Sequence, residues 1–152
     1  MLLKRREIKI RDNCKIYTFI STVETSLISI GDRTTISSNV EFCTHDNAIC
    51  KAIPGTTDLM GRITVGNDCF LGMHSILLYG VTLGDHCIVG AGAVVTKSFP
   101  SGSVIAGNPA KRICGIEEYA RKYQKQAFNY EPIPLIDQPA FFDAHPELMV
   151  KR

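Results

Sequence analysis

The chain has 152 residues, of which 45% are hydrophobic and 21% are charged, and its formal net charge is +2. This size fits one ordinary domain, and the near-neutral charge argues against a disordered tail or a dedicated nucleic-acid binder. The charged segment from Met1 to Arg6 is not followed by an apolar run of signal-peptide length, and Ile76-Leu77-Leu78 is too short to span a bilayer. We therefore expect a cytoplasmic protein that neither binds nucleic acid nor inserts into a membrane.

A six-residue repeat organises most of the chain. An aliphatic residue recurs at every sixth position, glycine often follows it, and a small or apolar residue lies four positions after it. The regular aliphatic positions are Val65, Leu71, Leu77, Leu83, Val89 and Val95. Neither an amphipathic strand, with period two, nor a helix, with period 3.6, produces this pattern. Each hexad therefore predicts a short strand followed by a corner, with the aliphatic and small residues stacked inside.

The array begins with hexads over residues 10–27 and 30–47, which a two-residue slip near Leu27 to Ser29 separates. It continues over residues 65–100, and an irregular last coil is predicted from Ser101 to Ile113.

Corners of the array favour Gly, Asn and Asp, because these residues tolerate left-handed backbone angles. Asp12-Asn13, Gly66-Asn67-Asp68 and Gly84-Asp85 fit this expectation.

The six cysteines contain no C-x-x-C pair, so a zinc site or a disulfide framework is not indicated. Cys14, Cys69 and Cys87 fall on the small inward position of their hexads. We interpret them as structural thiols.

Two segments interrupt or follow the repeat. Residues 43–62 interrupt the regular hexads and are longer than most connections in compact domains, which indicates a functional excursion loop. Apolar residues at helical spacing predict an amphipathic helix within residues 115–130. The proline-rich remainder, residues 131–152, is predicted to be an extended tail.

The strongest catalytic candidate is His45, in the sequence Thr44-His45-Asp46 where the array enters the loop. Acyl transfer to an alcohol requires a base beside the attacking hydroxyl, and histidine suits that work near pH 7. His74 and His86 fall at outward positions of regular hexads, and His145 has no supporting motif, so none of these three is expected to be catalytic.

The stretch from Val89 to Lys97, followed by Pro100 and by Gly107-Asn108-Pro109-Ala110-Lys111, is similar almost residue for residue to the C-terminal signature of the hexapeptide-repeat acyltransferases. This resemblance implies an all-β fold, namely a left-handed parallel β-helix of about five coils over residues 1–114, with an excursion loop and a C-terminal α-helix. It also implies a homotrimer with sites between subunits.

The resemblance further implies an acetyl-CoA-dependent O-acetyltransferase acting on a saccharide, with His45 as the general base. Asp46 or another acidic residue would orient the imidazole, and no metal is required. Acceptor-binding residues are expected at Thr44, Asp46 and Asn47. The coenzyme A residues implied by the family are Phe70, where many members carry Trp, Gly72, Met73, Ala91, Thr96 and Lys97, with Lys111 and Arg112 for the phosphates.

Other functions remain open at this point. N-acetylation of an amino sugar or an antibiotic is the nearest alternative, and a catalytically silent scaffold is a third. Cys43 could form an acyl-thioester intermediate, although no activating base pattern accompanies it. A zinc carbonic anhydrase is disfavoured, because the spacing of His45, His74 and His86 does not match its three ligands.

Overall fold

The computed structural model describes residues 8–22 and 24–152, and it divides after Ile116 into two compact units. The charged segment from Met1 to Arg6 lies outside the described residues. The first unit contains the repeat, and the second contains Glu117–Arg152.

Most short strands of the first unit form three sheets, A, B and C, which the chain visits in that order between residues 28 and 95. Sheet A pairs β1 (Lys9–Ile10), β3 (Ile28–Ile30), β8 (Ile63–Val65) and β11 (Thr82–Leu83). Sheet B pairs β2 (Lys15–Ile16), β4 (Thr35–Ile36), β9 (Phe70–Leu71), β12 (Ile88–Val89), β14 (Ser103–Gly107) and β15 (Ala110–Gly115). Sheet C pairs β5 (Glu41–Cys43), β10 (Ile76–Leu78) and β13 (Val94–Val95).

The strand pairings follow directly from the six-residue repeat. Every pairing in the three sheets is parallel except β14 with β15, which is antiparallel. In sheet A, for example, Ile10 is in register with Ile30, which is in register with Val65. The predicted parallel strands are confirmed, and their rotation through three sheets fits the predicted β-helix.

The core is the stacked inward column of aliphatic side chains. The repeat positions from Val65 to Val95 are at most 2% exposed. Burying one such side chain stabilises a fold by about 1.5–3 kcal/mol, so each coil contributes through its contacts with the coils above and below it.

The corners turn through left-handed residues, but these are not always the predicted ones. Asn13 and Asp68 have φ of 58° and 54°, as their residue types predicted. In the predicted corner at Gly84-Asp85, the left-handed residue is His86, with φ of 55°, rather than Gly84. Gly66 has a different role, since a Cβ there would lie 2.7 Å from the carbonyl carbon of Gly84. Glycine after the aliphatic residue therefore permits close stacking of coils.

The three cysteines of the inward column donate to backbone carbonyls of the neighbouring coil. The Sγ atoms of Cys14, Cys69 and Cys87 lie 3.0, 3.2 and 3.3 Å from the carbonyl oxygens of Gly31, Gly84 and Pro100. All six cysteines are free thiols. These three cysteines thus satisfy weak hydrogen bonds inside the coil, as small core residues do.

The excursion loop is a folded segment at the corner between sheets C and A. Its strands β6 (His45–Asp46) and β7 (Leu59–Met60) pair antiparallel, and a 3-10 helix covers Asn47–Lys51. The N–H of Gly61 donates to the carbonyl of Thr44 over 3.1 Å. The base of the loop is consequently closed beside β5 and β8.

In the second unit the prediction of an extended tail over 131–152 is wrong. Helix α1 covers Ile116–Tyr123, and one further turn follows it, because the N–H of Ala127 donates to Tyr123. Helix α2 covers Gln138–Ala144 and carries Pro139 in its first turn, where the missing N–H is tolerated. The aromatic residues Phe128, Tyr130, Phe141 and Phe142 pack together around it. Across residues 8–22 and 24–152, no helix is long and apolar enough to cross a membrane.

Candidate functional site

His45 lies on β6 at the base of the excursion loop. Its side chain is 43% exposed, and its Nδ1 atom lies 3.0 Å from Oε2 of Glu24. Pairing of β6 with β7 places His45 opposite Met60 and so fixes its backbone. The imidazole is therefore held at one nitrogen and remains accessible to a ligand.

Glu24 comes from the coil before His45 and accepts several hydrogen bonds. Its Oε2 lies 2.9 Å from Oγ1 of Thr44 and 3.0 Å from Oγ1 of Thr22. Partial burial alone would raise the pKa of Glu24, but the hydrogen bonds from Thr44, Thr22 and His45 outweigh it and hold that pKa below its ordinary value. The group at this position is thus a carboxylate at neutral pH.

The carboxylate beside Nδ1 determines which tautomer the neutral imidazole adopts. Because Glu24 accepts a hydrogen bond, the neutral ring of His45 carries its proton on Nδ1 and leaves Nε2 with a lone pair. The same carboxylate stabilises the imidazolium that forms when Nε2 takes up a proton. This is the arrangement of a general base with an orienting acid residue.

Glu24 was not among the sequence candidates. The first coil is twenty residues long, as the register of Lys9 with Ser29 shows, and residue 24 therefore lies one coil before Thr44. The two-residue slip in the repeat was the available signal, because it lengthens this coil enough to align the two positions.

Asp46 does not contact the imidazole. One of its oxygens accepts the N–H of Ala48 at 2.8 Å and so caps the 3-10 helix, and the other lies 3.4 Å from the hydroxyl of Tyr79. Burial and the nearby Asp46 raise the pKa of Tyr79, so its hydroxyl stays protonated and donates. The acid residue that orients His45 is Glu24, and Asp46 instead fastens the loop to the next coil.

Thr44 and Asn47, two of the predicted acceptor-binding residues, have different environments. Thr44 is completely buried, and its hydroxyl contacts Glu24 and Thr22, so a direct contact with an acceptor does not fit this geometry. Asn47 begins the 3-10 helix of the loop and is exposed.

Five of the eight residues predicted for coenzyme A lie at two corners of the coil. Thr96 and Lys97 follow β13 at the corner between sheets C and A, where the excursion loop also leaves the coil. The second group comprises Gly72, Met73 and Ala91, at the corner between sheets B and C. At this second corner the N–H of Gly92 donates to the carbonyl of Met73 over 2.9 Å. Within one chain, the width of sheet C separates the two groups.

The remaining predicted residues are on sheet B. Phe70 is 43% exposed on β9, and Lys111 and Arg112 are exposed on β15. The ammonium of Lys97, at its separate corner, lies 5.6 Å from the centre of the Phe99 ring.

Cys43 is poorly suited to act as a nucleophile. Burial raises the pKa of its thiol, and the carboxylates of Glu41 and Asp46 raise it further. A catalytic cysteine instead needs its pKa lowered by a base or a cation. The surroundings of Cys43 therefore do not support an acyl-thioester at this residue.

The other histidines do not lie on the excursion loop. His74 and His86 are exposed corner residues, and Nε2 of His86 lies 4.0 Å from a carboxylate oxygen of Asp68. In the second unit, Nδ1 of His145 lies 3.1 Å from Oε1 of Glu147, and these side chains are 45% and 65% exposed. In the part of the chain that the structure describes, no group of three His, Cys, Asp or Glu side chains could hold a metal ion.

Comparison with known proteins gives consistent matches. A sequence family described as "Hexapeptide repeat of succinyl-transferase" matches residues 62–97. Protein CapG of Staphylococcus aureus is 41% identical over 107 residues, which are 68% of this chain and 62% of CapG. Galactoside O-acetyltransferase of Escherichia coli strain K12 is 29% identical over 113 residues, 74% of this chain and 56% of that enzyme. A galactoside acetyltransferase solved in complex with coenzyme A matches with a TM-score of 0.58 and 25% identity, over 74% of this chain and 67% of that chain.

The chain spans less than two thirds of the length of these two curated relatives. The family match over residues 62–97 contains the regular aliphatic positions from Val65 to Val95 and the strands from β8 to β13. In its repeat, its strand pairing and its relatives, this chain is similar to the proteins of the hexapeptide-repeat family.

Proposed function

We propose that the protein transfers the acetyl group of acetyl-CoA to a hydroxyl of a saccharide, with His45 as the general base. The observation that carries this proposal is the pairing of His45 Nδ1 with Glu24 Oε2 at the base of the excursion loop. A neutral sugar hydroxyl is a weak nucleophile, and an imidazole held in one tautomer beside it is the group that such an acceptor requires.

In the proposed reaction, Nε2 of His45 accepts the hydroxyl proton as the acceptor oxygen attacks the thioester carbonyl. Glu24 keeps the other ring proton on Nδ1 and stabilises the imidazolium. The imidazolium then returns the proton to the departing thiolate sulphur, so no proton is gained or lost overall. A positioned general base of this kind contributes roughly 10²- to 10⁴-fold to the rate.

Coenzyme A supplies the acyl thioester, and the chain offers residues that fit its parts. Lys97, Lys111 and Arg112 are exposed cations that suit phosphate groups. Gly72 and Ala91 present backbone groups at the corner between sheets B and C. The galactoside acetyltransferase in complex with coenzyme A supports this assignment by its similarity.

The separation of the two corner groups supports a site shared between copies of the chain. If three left-handed helices of about five coils pack side by side, the corner with Thr96 and Lys97 in one copy meets the corner with Met73 and Ala91 in its neighbour. The proposed enzyme is accordingly a homotrimer with a site at each interface.

A saccharide is the acceptor class that the relatives favour. The name galactoside O-acetyltransferase specifies both an O-linked product and a sugar acceptor, and that enzyme matches 74% of this chain. The base also favours a hydroxyl acceptor, because an unprotonated amine attacks a thioester without prior deprotonation.

The decisive experiment measures release of free coenzyme A from acetyl-CoA against a panel of sugars and amino sugars. We expect turnover with a sugar hydroxyl, and a loss of at least about 100-fold in His45→Ala. His86→Asn is the matched control, because His86 is an exposed left-handed corner residue that Asn can replace.

Full turnover in His45→Ala would refute the general-base role. Turnover only with amino sugars would replace the hydroxyl acceptor by an amine, and absence of coenzyme A binding would favour a non-catalytic scaffold.

A further inference from the structure

One carboxylate oxygen of Glu24 contacts three side chains, including that of His45. Oε2 of Glu24 lies within 3.0 Å of Nδ1 of His45 and of the hydroxyl oxygens of Thr22 and Thr44. The two hydroxyl oxygens also lie 2.8 Å from each other. The two threonines thus form a triangle with the carboxylate, beside the imidazole.

A count of protons limits what this triangle can do. Three contacts join Thr22, Thr44 and Glu24, but the two hydroxyls carry only two protons, and the carboxylate carries none. Thr44 is completely buried, so its proton has to be used inside the cluster. The two hydroxyls cannot both donate to each other. If both hydroxyls donate within this cluster, at least one of them therefore donates to Oε2 of Glu24.

We propose that Thr44 and Thr22 are positioning residues, which hold Glu24 as an oriented carboxylate so that His45 keeps its proton on Nδ1 and its lone pair on Nε2. This inference rests on the proposed function for its effect on turnover, but the arrangement of protons is independent of it. It also gives Thr44 a role different from acceptor binding.

Loss of the Thr44 hydroxyl has a defined consequence. In Thr44→Val the side-chain shape is kept, but only the half-buried Thr22 can still donate to Oε2, and water competes for its proton. Glu24 then loses a donor that favours its ionised form and that fixes the position of Oε2, so the carboxylate can turn away from Nδ1 of His45. The second neutral tautomer, with the proton on Nε2 and no basic nitrogen facing the acceptor, becomes populated.

The experiment compares Thr44→Val, Thr44→Ser and Thr34→Val with the wild-type chain. Thr34 is the matched control, because it is also completely buried and its hydroxyl donates to the carbonyl of Gly66 at 2.9 Å, away from Glu24. Long-range ¹H–¹⁵N spectra report the imidazole tautomer, with the His45 signals assigned by their absence in His45→Ala. A ¹³C titration of the Glu24 carboxyl, assigned with Glu24→Gln, reports its pKa.

We expect Thr44→Val to show a mixture of His45 tautomers, a raised pKa of Glu24, and a kcat about tenfold lower with KM little changed. Thr44→Ser should restore all three properties. Thr34→Val should lose stability while the tautomer and the pKa of Glu24 stay as in the wild type, which separates positioning from a general loss of folding.

An unchanged Nδ1–H tautomer and an unchanged Glu24 titration in Thr44→Val would overturn the inference, and so would a wild-type His45 protonated on Nε2. Failure of the proposed function looks different. Turnover would then be absent in every variant or independent of His45, while the tautomer and the titration would still respond to Thr44.

Discussion

Two buried serine hydroxyls of the coil differ in whether they have a hydrogen-bond partner. Ser103 is completely buried, and its hydroxyl donates to the carbonyl of Pro100 at 2.7 Å. Ser75 is equally buried, yet among the described side chains its Oγ is a buried polar atom without a hydrogen-bond partner. The N–H of Glu41 donates to the carbonyl of Ser75, and the N–H of Ile76 donates to the carbonyl of Ala93. Ser75 is therefore at a corner, with its side chain among the stacked inward residues. Ser75 therefore contributes an unsatisfied hydroxyl to an apolar stack.

Replacing Ser75 by Ala should increase the stability of the protein. An unsatisfied buried donor costs about 1–3 kcal/mol, and the small cavity left by Ala offsets part of the gain, so we expect an increase of about 1 kcal/mol in the free energy of unfolding. Ser103→Ala is the matched control and should instead lose about 1 kcal/mol, because it removes a satisfied hydrogen bond. Urea unfolding of both variants measures the difference. A loss of stability in Ser75→Ala equal to that in Ser103→Ala would contradict the argument.

The sequence predicts His45 as the candidate base, whereas its partner could not be predicted. The histidine lies at the start of the excursion loop, and the resemblance to the family distinguished it from the other histidines. Glu24 is 21 residues earlier, in a coil whose length departs from the repeat by two residues. Because contacts between coils depend on coil length, a residue in an irregular coil cannot be paired from the period alone.

At the scale of the elements, the corner is the unit that determines how closely coils approach. Gly66 and Gly90 both follow an aliphatic residue of the repeat, but their surroundings differ. A Cβ at Gly66 would meet backbone atoms of Gly84 at 2.7 Å and the carboxylate of Asp85 at 2.5 Å. A Cβ at Gly90 would meet the methyl group of Ala106 at 3.1 Å, which a small shift can relieve. The same position of the repeat therefore requires glycine in the middle of the array and tolerates a small side chain near its end.

We expect Gly66→Ala to destabilise the protein by about 3 kcal/mol and Gly90→Ala by about 1 kcal/mol or less. Neither glycine has a left-handed φ, so the comparison isolates the stacking distance. The thermal unfolding temperature of both purified variants measures the effect. Equal losses at the two positions would show that coil spacing is not what requires glycine at Gly66.

The second unit contains a helix, α2, that the sequence pattern did not predict. Proline in residues 131–152 favoured an extended tail, but Pro139 lies in the first turn of α2, where a helix needs no N–H from it. The aromatic residues that stabilise this unit, such as Phe128 and Phe141, are thirteen positions apart, and neither residue lies within a regular repeat. The six-residue period, by contrast, specified the parallel strands because each residue stacks on its own equivalent.

At the scale of the whole molecule, the outer faces of the sheets differ in character. On sheet C, Ile76 of β10 is in register with Val94 of β13, and both side chains are half-buried beside inward-facing core residues. On sheet A, the equivalent outward positions are Ser29, Thr64 and Thr82, which are polar. Sheet B also has apolar outward positions, since Phe70 is in register with Ile88, so apolar character favours sheets B and C over sheet A as the contact between copies. Sheet C is also the sheet that separates the two groups of predicted coenzyme A residues.

The proposed trimer predicts that a charge on sheet C disrupts both assembly and turnover. Ile76→Lys places an ammonium at the centre of this face, in register with Glu41 of β5, where burial against another copy would remove the charge from water. We expect the variant to elute as a monomer, in contrast to a wild-type trimer in size-exclusion chromatography with light scattering, and to lose acetyl transfer because each site is incomplete in one chain.

Thr64→Lys tests the same outward position in the same coil on sheet A, and it should leave both mass and turnover unchanged. Circular dichroism of the two variants checks that the coil itself remains folded. An active wild-type monomer, or an Ile76→Lys variant that keeps the wild-type mass and turnover, would show that the site is complete within one chain. In that case Met73 and Ala91 could not share a donor site with Thr96 and Lys97, because the width of sheet C lies between them.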